Sequence, residues 1–227
     1  MIRRRVWAVA VLIFLLAFLP RAMYPVSRPM QWYSRAVRFG DALLAQDWTG
    51  TYQCYHPGVI TMWLSGIGLK LFAWQRGLLS DQLQGIAPTK PGTLNDAVAA
   101  GVIQLAFVIA LCIALTYPLL LRIVGRKVAL AGRCLLALDP FHITYSKVLH
   151  VDGLVATFML VSVLFLLSYL HRVRRLDLIL SGVLAGLAFL SKSPSLFLIP
   201  YAALAAGMYG LLPLGPGAGA SAGRQGG

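Results

Sequence analysis

The chain has 227 residues, 59% of them hydrophobic and 12% charged, with a net charge of +13. Its apolar residues run in long blocks and its basic residues sit between the blocks, not along one face of a soluble fold, so membrane topology explains the charge and nucleic-acid binding is set aside. Cys54, Cys112 and Cys134 are far apart and form no CxxC pair, which argues against a zinc site or a disulfide framework.

"RRRVWAVAVLIFLLAFLP" has a basic start and an apolar core, and the "RAMYP" after it lacks a small-residue cleavage pattern; an uncleaved first span over about residues 6–22 is expected. From residue 23 to 95 the chain turns mixed and aromatic. In "QWYSRAVRFGDALLAQDW" the spacing places Trp32, Ala36, Phe39, Leu43 and Leu44 on one helical face and Arg35, Arg38 and Asp41 off it, the pattern of an interfacial helix. "HPGVITMWLSGIGLKLFAW" is a short span or a second interfacial helix.

Clear spans follow at about 97–121, 127–147 and 151–170. The apolar stretch after them is too long for one crossing, and "SKSP" breaks it into a hairpin because Pro194 pushes Ser193 out of helical geometry. "GVLAG", with Gly182 and Gly186, reads as a close helix-packing face. Residues 213–227 form a flexible Gly/Ala-rich tail after a helical domain over 1–212.

If "HPGVITMW" does not cross, Arg3 to Arg5, then Arg122, Arg126 and Lys127, then Arg172, Arg174 and Arg175 collect on one side. The positive-inside rule then gives an all-α bundle of about six spans with the N-terminus cytoplasmic and residues 23–95 as the first extracytoplasmic loop. That loop, the Asp139 to Asp152 turn and "SKSP" emerge together, gathering His56, His142, Lys147, His150, Asp152 and Lys192.

All seven acidic residues are aspartates, so each is worth placing. In "SKVLHVDG", His150 and Asp152 either cap a helix or bind a polar head group. Asp139 in "LDPFH" calls for a partner, and Lys147, His150 and Arg133 are the candidates. Lys192, flanked by Ser191 and Ser193, snorkels or forms an anion pocket suited to a lipid-linked phosphate.

Taken together, "YHPGVITMW", "ALDPFHITYSKVLHVDGL" and "LAGLAFLSKSPSLFLIP" resemble the multi-span glycosyltransferases of the GT-C fold, in the phospholipid-carrier-dependent branch of protein O-mannosyltransferases and aminoarabinose transferases. The resemblance runs from the first span to about Gly210. It implies an enzyme of a prokaryotic plasma membrane that moves a sugar from a polyprenyl-phosphate donor to an acceptor on the outer face. The first outer loop would carry two juxtamembrane helices. Its partners would be the lipid-linked sugar and membrane lipid, with a membrane-protein partner compatible with the fold.

By the same resemblance His56 and Lys192 correspond to phosphate-contacting residues, with Ser191 and Lys147 beside them, and His150 and Asp152 match the acidic motif at the head of the fourth span, the candidate catalytic pair. The family's acidic pair after the first span is replaced here by "SRPMQW", with Arg28 and Pro29; Asp41 and Asp47 are weaker candidates for its role. No metal is indicated by the sequence and the cofactor is unknown, a divalent metal being compatible with the family.

The chain is also shorter than such enzymes, as expected of a fragment, a degenerate copy or a subunit. The alternative is therefore a non-catalytic membrane subunit or lipid-binding scaffold. A channel or transporter using Asp139 and Arg133 lacks the inverted repeat that would support it.

Overall fold

The computed structural model describes residues 2–23, 30–53, 57–78, 83 and 91–211, and among these it contains helices and no strand. The elements are α1 (Ile2–Ala22), α2 (Met30–Leu44), α3 (Val59–Arg76), α4 (Pro91–Val124), α5 (Arg126–Leu138), α6 (Pro140–Ser146), α7 (Asp152–Arg172) and α8 (Arg175–Ser191), then a 3₁₀ turn (Ser193–Phe197) and α9 (Leu198–Leu211). The all-α membrane bundle expected from the apolar blocks is the observed architecture. His56, Arg28, Pro29 and the 213–227 tail lie outside the described residues.

Helix α4 is the spine of the bundle. Its 34 residues bury Val98, Val102, Leu105, Ile109 and Ile113 at three- and four-residue spacing, and α1, α3 and α7 all lie against it. Small residues set how closely they approach: a Cβ added to Gly68 of α3 would fall 2.1 Å from the Ala100 carbonyl oxygen of α4. On the α1 side, Phe14 and Phe18 stack at 5.4 Å between ring centroids, and Phe107 of α4 meets Phe14 edge-on at 5.5 Å.

Helix α2 buries Trp32, Ala36 and Phe39 as its spacing predicts, and lies on α3. Leu44 departs from that face and is exposed, because the helix ends there. Asp41, placed off the apolar face by periodicity, turns to Lys70 of α3 and forms an ion pair with it. Tyr33 is buried and donates its hydroxyl to the Leu83 carbonyl, 2.9 Å away.

Among the described residues four segments are long and apolar enough to cross a membrane: 4–22, 93–124, 152–172 and 193–211. Helix α3 is not one of them. Helix α8, with 17 residues, runs back along α7 after a tight turn at Val173. The segment expected as a continuous span over 127–147 is instead broken into α5 and α6 at Asp139. Pro140 supplies no N–H and disfavours helical geometry for the residue before it.

Asp139 then caps α6, its carboxylate accepting the His142 backbone N–H at 2.6 Å. The pairing expected with Lys147, His150 or Arg133 is therefore corrected: among the described residues none of those ion pairs forms. The carbonyls released at the end of α5 are taken by Arg21 of α1. Its guanidinium, fully buried, donates to Ala137 O at 2.7 Å and to Leu136 O at 3.3 Å. The same guanidinium meets His142 Nδ1 at 2.9 Å, and His142 Nε2 lies 3.1 Å from Thr157 Oγ1 on α7. Because Arg21 can only donate, His142 carries its proton on Nε2 and passes it towards Thr157, which itself donates to Gly153 O at 2.7 Å. This chain of bonds fixes the break between α5 and α6 against the first turn of α7.

Helices α7 and α8 meet through small polar residues whose hydroxyls are satisfied within the pair. Ser162 Oγ donates to Ser181 O and Ser181 Oγ to Ser162 O, each at 2.9 Å, and Ser168 Oγ donates to buried Asp177 at 2.7 Å. This contact replaces the one expected at "GVLAG", since a Cβ on Gly182 or Gly186 would meet nothing within 4 Å. The break at "SKSP" occurs where Pro194 predicts it: α8 stops at Ser191, Lys192 is extended, and the 3₁₀ turn leads into α9. Helix α9 buries no residue and presents its apolar side chains outwards, as a lipid-facing helix does.

Candidate functional site

Helix α7 begins immediately after a kinked strand of chain, Lys147 to Val151, that follows α6. Asp152 is thereby placed in the first turn of α7, where the helix dipole favours a carboxylate. It does not cap the helix: Val151 is the N-cap and no side chain bonds there, so Asp152 meets the helix through its dipole alone and clusters with its neighbours. Its Oδ1 accepts from Lys192 Nζ at 2.6 Å, and its Oδ2 lies 3.0 Å from His150 Nδ1. Lys192 arrives from the break after α8, where its extended backbone lets the side chain reach across to α7.

Two further elements close on the same place. The His150 ring meets Trp32 of α2 edge-to-face, with centroids 5.7 Å apart. The Gly58 N–H, at the head of α3, donates to the Ser191 carbonyl at 3.0 Å. Gly58 adopts φ 53°, and a Cβ there would fall 2.2 Å from Trp32, so both the backbone conformation and the close approach of the ring require a residue without a side chain. Four separated stretches thus meet at one mouth: α2 through Trp32, α3 through Gly58, the start of α7 through His150 and Asp152, and the α8 break through Lys192.

The cluster is half open. The side chains of Asp152 and Lys192 retain 32% and 26% of their exposure, so the ion pair is accessible to a charged ligand. His56 is two residues from Gly58 in the chain, and its own position lies outside the described residues. Ser191 enters differently from the expectation. It is fully buried, with its hydroxyl returned to Leu187 O at 2.8 Å, and it contributes to the mouth through its backbone carbonyl. Lys147 is half-buried and caps α6 through its backbone N–H. His142, counted with the outer polar group by sequence, is instead drawn inside to Arg21 and Thr157.

Neither of the other candidate carboxylates reaches the mouth. Asp41 follows Trp32 by nine residues on α2, about 14 Å along the axis, and is held by Lys70. Asp47 closes the turn after α2, accepting from Thr49 Oγ1 at 2.7 Å and from the Gly50 N–H at 3.0 Å. The Gly50 N–H above all, with the Thr49 hydroxyl, holds its carboxyl below the usual range. A divalent cation does not fit the mouth as built, because an ammonium already occupies Asp152 Oδ1; among the described residues no group of three or more metal-ligating side chains occurs.

Sequence reasoning placed Trp32 on a buried face without linking it to His150, and it passed over Arg21. The signal for Arg21 was a cation directly after Pro20 at the end of an apolar span; such a residue usually snorkels, so the pattern alone favoured the wrong environment.

Comparison with known proteins bears on the half of the chain that supplies the cluster. No curated protein and no solved structure matches it. The sequence pattern of the dolichyl-phosphate-mannose-protein mannosyltransferases matches residues 94–212, more than half of the chain and inclusive of His150, Asp152 and Lys192. The chain therefore belongs to the dolichyl-phosphate-mannose-protein mannosyltransferase family, as an integral membrane glycosyltransferase-like protein.

Proposed function

We propose that the Lys192–Asp152–His150 mouth binds the phosphate of a polyprenyl-phosphate-linked sugar and that the chain takes part in transferring that sugar to an acceptor. The reading is supported above all by Lys192 and the head of α7 meeting at one half-open cluster, 40 residues apart in sequence. An ammonium at a membrane mouth is suited to a lipid-borne phosphate, which would take over the charge-assisted bond now made to Asp152. His56, two residues before Gly58 in the sequence, would supply a second contact to that phosphate.

The chemistry assigned to this chain's residues is proton transfer. His150 Nδ1 lies 3.0 Å from Asp152 Oδ2; an imidazole protonated on that side would carry its lone pair on Nε2. Nε2 would accept the proton of the acceptor hydroxyl as its oxygen bonds to the sugar's anomeric carbon; the bond from that carbon to the phosphate oxygen breaks, and the lipid phosphate leaves against Lys192. Asp152 orients the imidazole and stabilises its charged form. In this reading residues 23–95 form the outer loop, the N-terminus is cytoplasmic, the mouth is extracytoplasmic, and the membrane is a prokaryotic plasma membrane.

A second reading, a donor-binding subunit without transfer activity, is favoured by one observation: both oxygens of Asp152 are engaged, and Asp41 and Asp47 are committed elsewhere. Purified full-length chain in nanodiscs, given a polyprenyl-phosphate sugar and a hydroxyl acceptor, separates the two. Turnover that Asp152→Asn abolishes supports transfer; binding of donor without turnover supports the subunit; absence of both overturns the proposal.

A further inference from the structure

At the other end of α7, about 30 Å from the mouth, the bundle is strongly basic. The end of α4 and the α7–α8 turn are joined there by a bond from Arg172 Nη2 to Arg122 O, 3.3 Å long. The nearest carboxylate in the sequence, Asp177, is buried against Ser168 and neutralises none of the exposed cations. Positive-inside topology accounts for a basic end as a whole. It does not account for one feature within it.

Between α1, α4 and α5 lies a groove of about 240 Å³ lined by Arg5, Val6, Val9, Tyr117, Leu121 and Arg126. Arg5 and Arg126 are exposed and come from different helices, whereas Val6, Val9 and Leu121 are half-buried and Tyr117 is buried. The lining therefore has two parts, a pair of exposed guanidinium groups and an interior that is apolar apart from the Tyr117 hydroxyl. Among the described residues no carboxylate pairs with either arginine. A small soluble anion would find its charge matched by the arginines but only the Tyr117 hydroxyl as a polar group beneath, the rest of the lining being apolar. A molecule with an anionic head and a hydrocarbon body matches both parts, and at this depth such molecules are the surrounding solvent. Guanidinium groups suit a phosphodiester because their planar donors address two oxygens at once.

We propose that the groove between α1, α4 and α5 binds one anionic glycerophospholipid, with its phosphate between Arg5 and Arg126 and the upper part of an acyl chain against Val6, Val9 and Leu121. The site is independent of the sugar-transfer reading and lies on the opposite face of the bundle from it. It would tie the start of α1 to the α4–α5 corner, two elements that the fold otherwise joins through apolar packing.

The test is native mass spectrometry of the full chain released from mixed micelles holding equal amounts of phosphatidylglycerol and phosphatidylcholine. One retained phosphatidylglycerol is expected in preference to phosphatidylcholine. The double variant Arg5→Gln, Arg126→Gln is expected to weaken that retention about 30-fold, from about fivefold per arginine near an anionic head group. The double variant Arg174→Gln, Arg175→Gln removes the same charge from the same end outside the groove and is expected to retain the lipid. Equal loss in both double variants would mean bulk charge attraction only and would overturn the site, as would equal retention of the two lipids by the unaltered chain. Circular dichroism of each variant confirms that the helices are intact, so a loss of lipid is not a loss of fold.

Discussion

Gly58→Ala probes the join between the first loop and the rest of the bundle. Gly58 sits at φ 53° and ψ 14°, in the left-handed region, where a Cβ costs about 1–2 kcal/mol. The same Cβ would lie 2.2 and 2.3 Å from two atoms of the Trp32 ring and 3.3 Å from Val151. Carbon atoms need about 3.5–4.0 Å, so the ring must retreat by more than about 1 Å into a buried site, an overpacking cost of about 1–3 kcal/mol. The sum is a loss of about 2–5 kcal/mol, and the displaced indole also leaves its edge-to-face position on His150. Reversible unfolding in mixed micelles measures the first effect, and donor binding by the same sample measures the second. Adding Trp32→Ala to Gly58→Ala removes the clash while leaving the backbone strain, so the two changes should be strongly non-additive. Stability of Gly58→Ala within about 0.5 kcal/mol of the unaltered chain would refute the geometry of this join.

Other expectations concern buried charge and the remaining carboxylates. Arg133 is 4% exposed, and its Nε and Nη1 have no partner among the described residues, so Arg133→Met should stabilise the fold by about 1–3 kcal/mol in the same unfolding measurement. Arg21→Met should do the reverse, by about 3 kcal/mol or more, since it strands the Leu136 and Ala137 carbonyls and His142 Nδ1 together. Asp47→Asn should leave donor binding and any sugar transfer unchanged when both are assayed at neutral pH; a loss of transfer would move the base to the end of α2. Gly68→Ala should loosen α3 from α4, seen as faster amide exchange along α3, because the two atoms nearest the new Cβ, at 2.1 and 2.8 Å, belong to the Ala100 backbone, which cannot turn aside as a side chain can.

Much of the fold was legible because it rests on local signals. Apolar block length marked α1, α4 and α7, and Pro194 marked the break after α8. The break at Asp139 has the same local cause, a proline, yet the segment read as one span because its apolar content runs on through "LDPFH" and composition does not register a missing N–H. Gly182 and Gly186 show the opposite error. Their spacing fits a packing face, but which face of α8 meets α7 is decided by Ser162 and Ser181, whose reciprocal bonds depend on a partner helix that periodicity does not reveal. The candidate site divides in the same way. Lys192 and Asp152 stood out as rare charges in apolar surroundings, whereas Trp32 and Arg21 act through contacts between segments distant in sequence. Ser191 and His142 were selected by residue type, and their side chains are spent on Leu187 and on Arg21.

The central claim is that Lys192 holds a lipid-borne phosphate at the mouth formed with Asp152 and His150. The most direct measurement is the Kd of the purified full chain in nanodiscs for a polyprenyl phosphate, with the phosphate-free polyprenol as control, for the unaltered chain, Lys192→Met and Lys192→Arg. Loss of one charge-assisted bond predicts a Kd about 10- to 150-fold weaker for Lys192→Met, little change for Lys192→Arg, and no effect of either on the polyprenol. An unchanged Kd in Lys192→Met, with the fold intact, would contradict the claim.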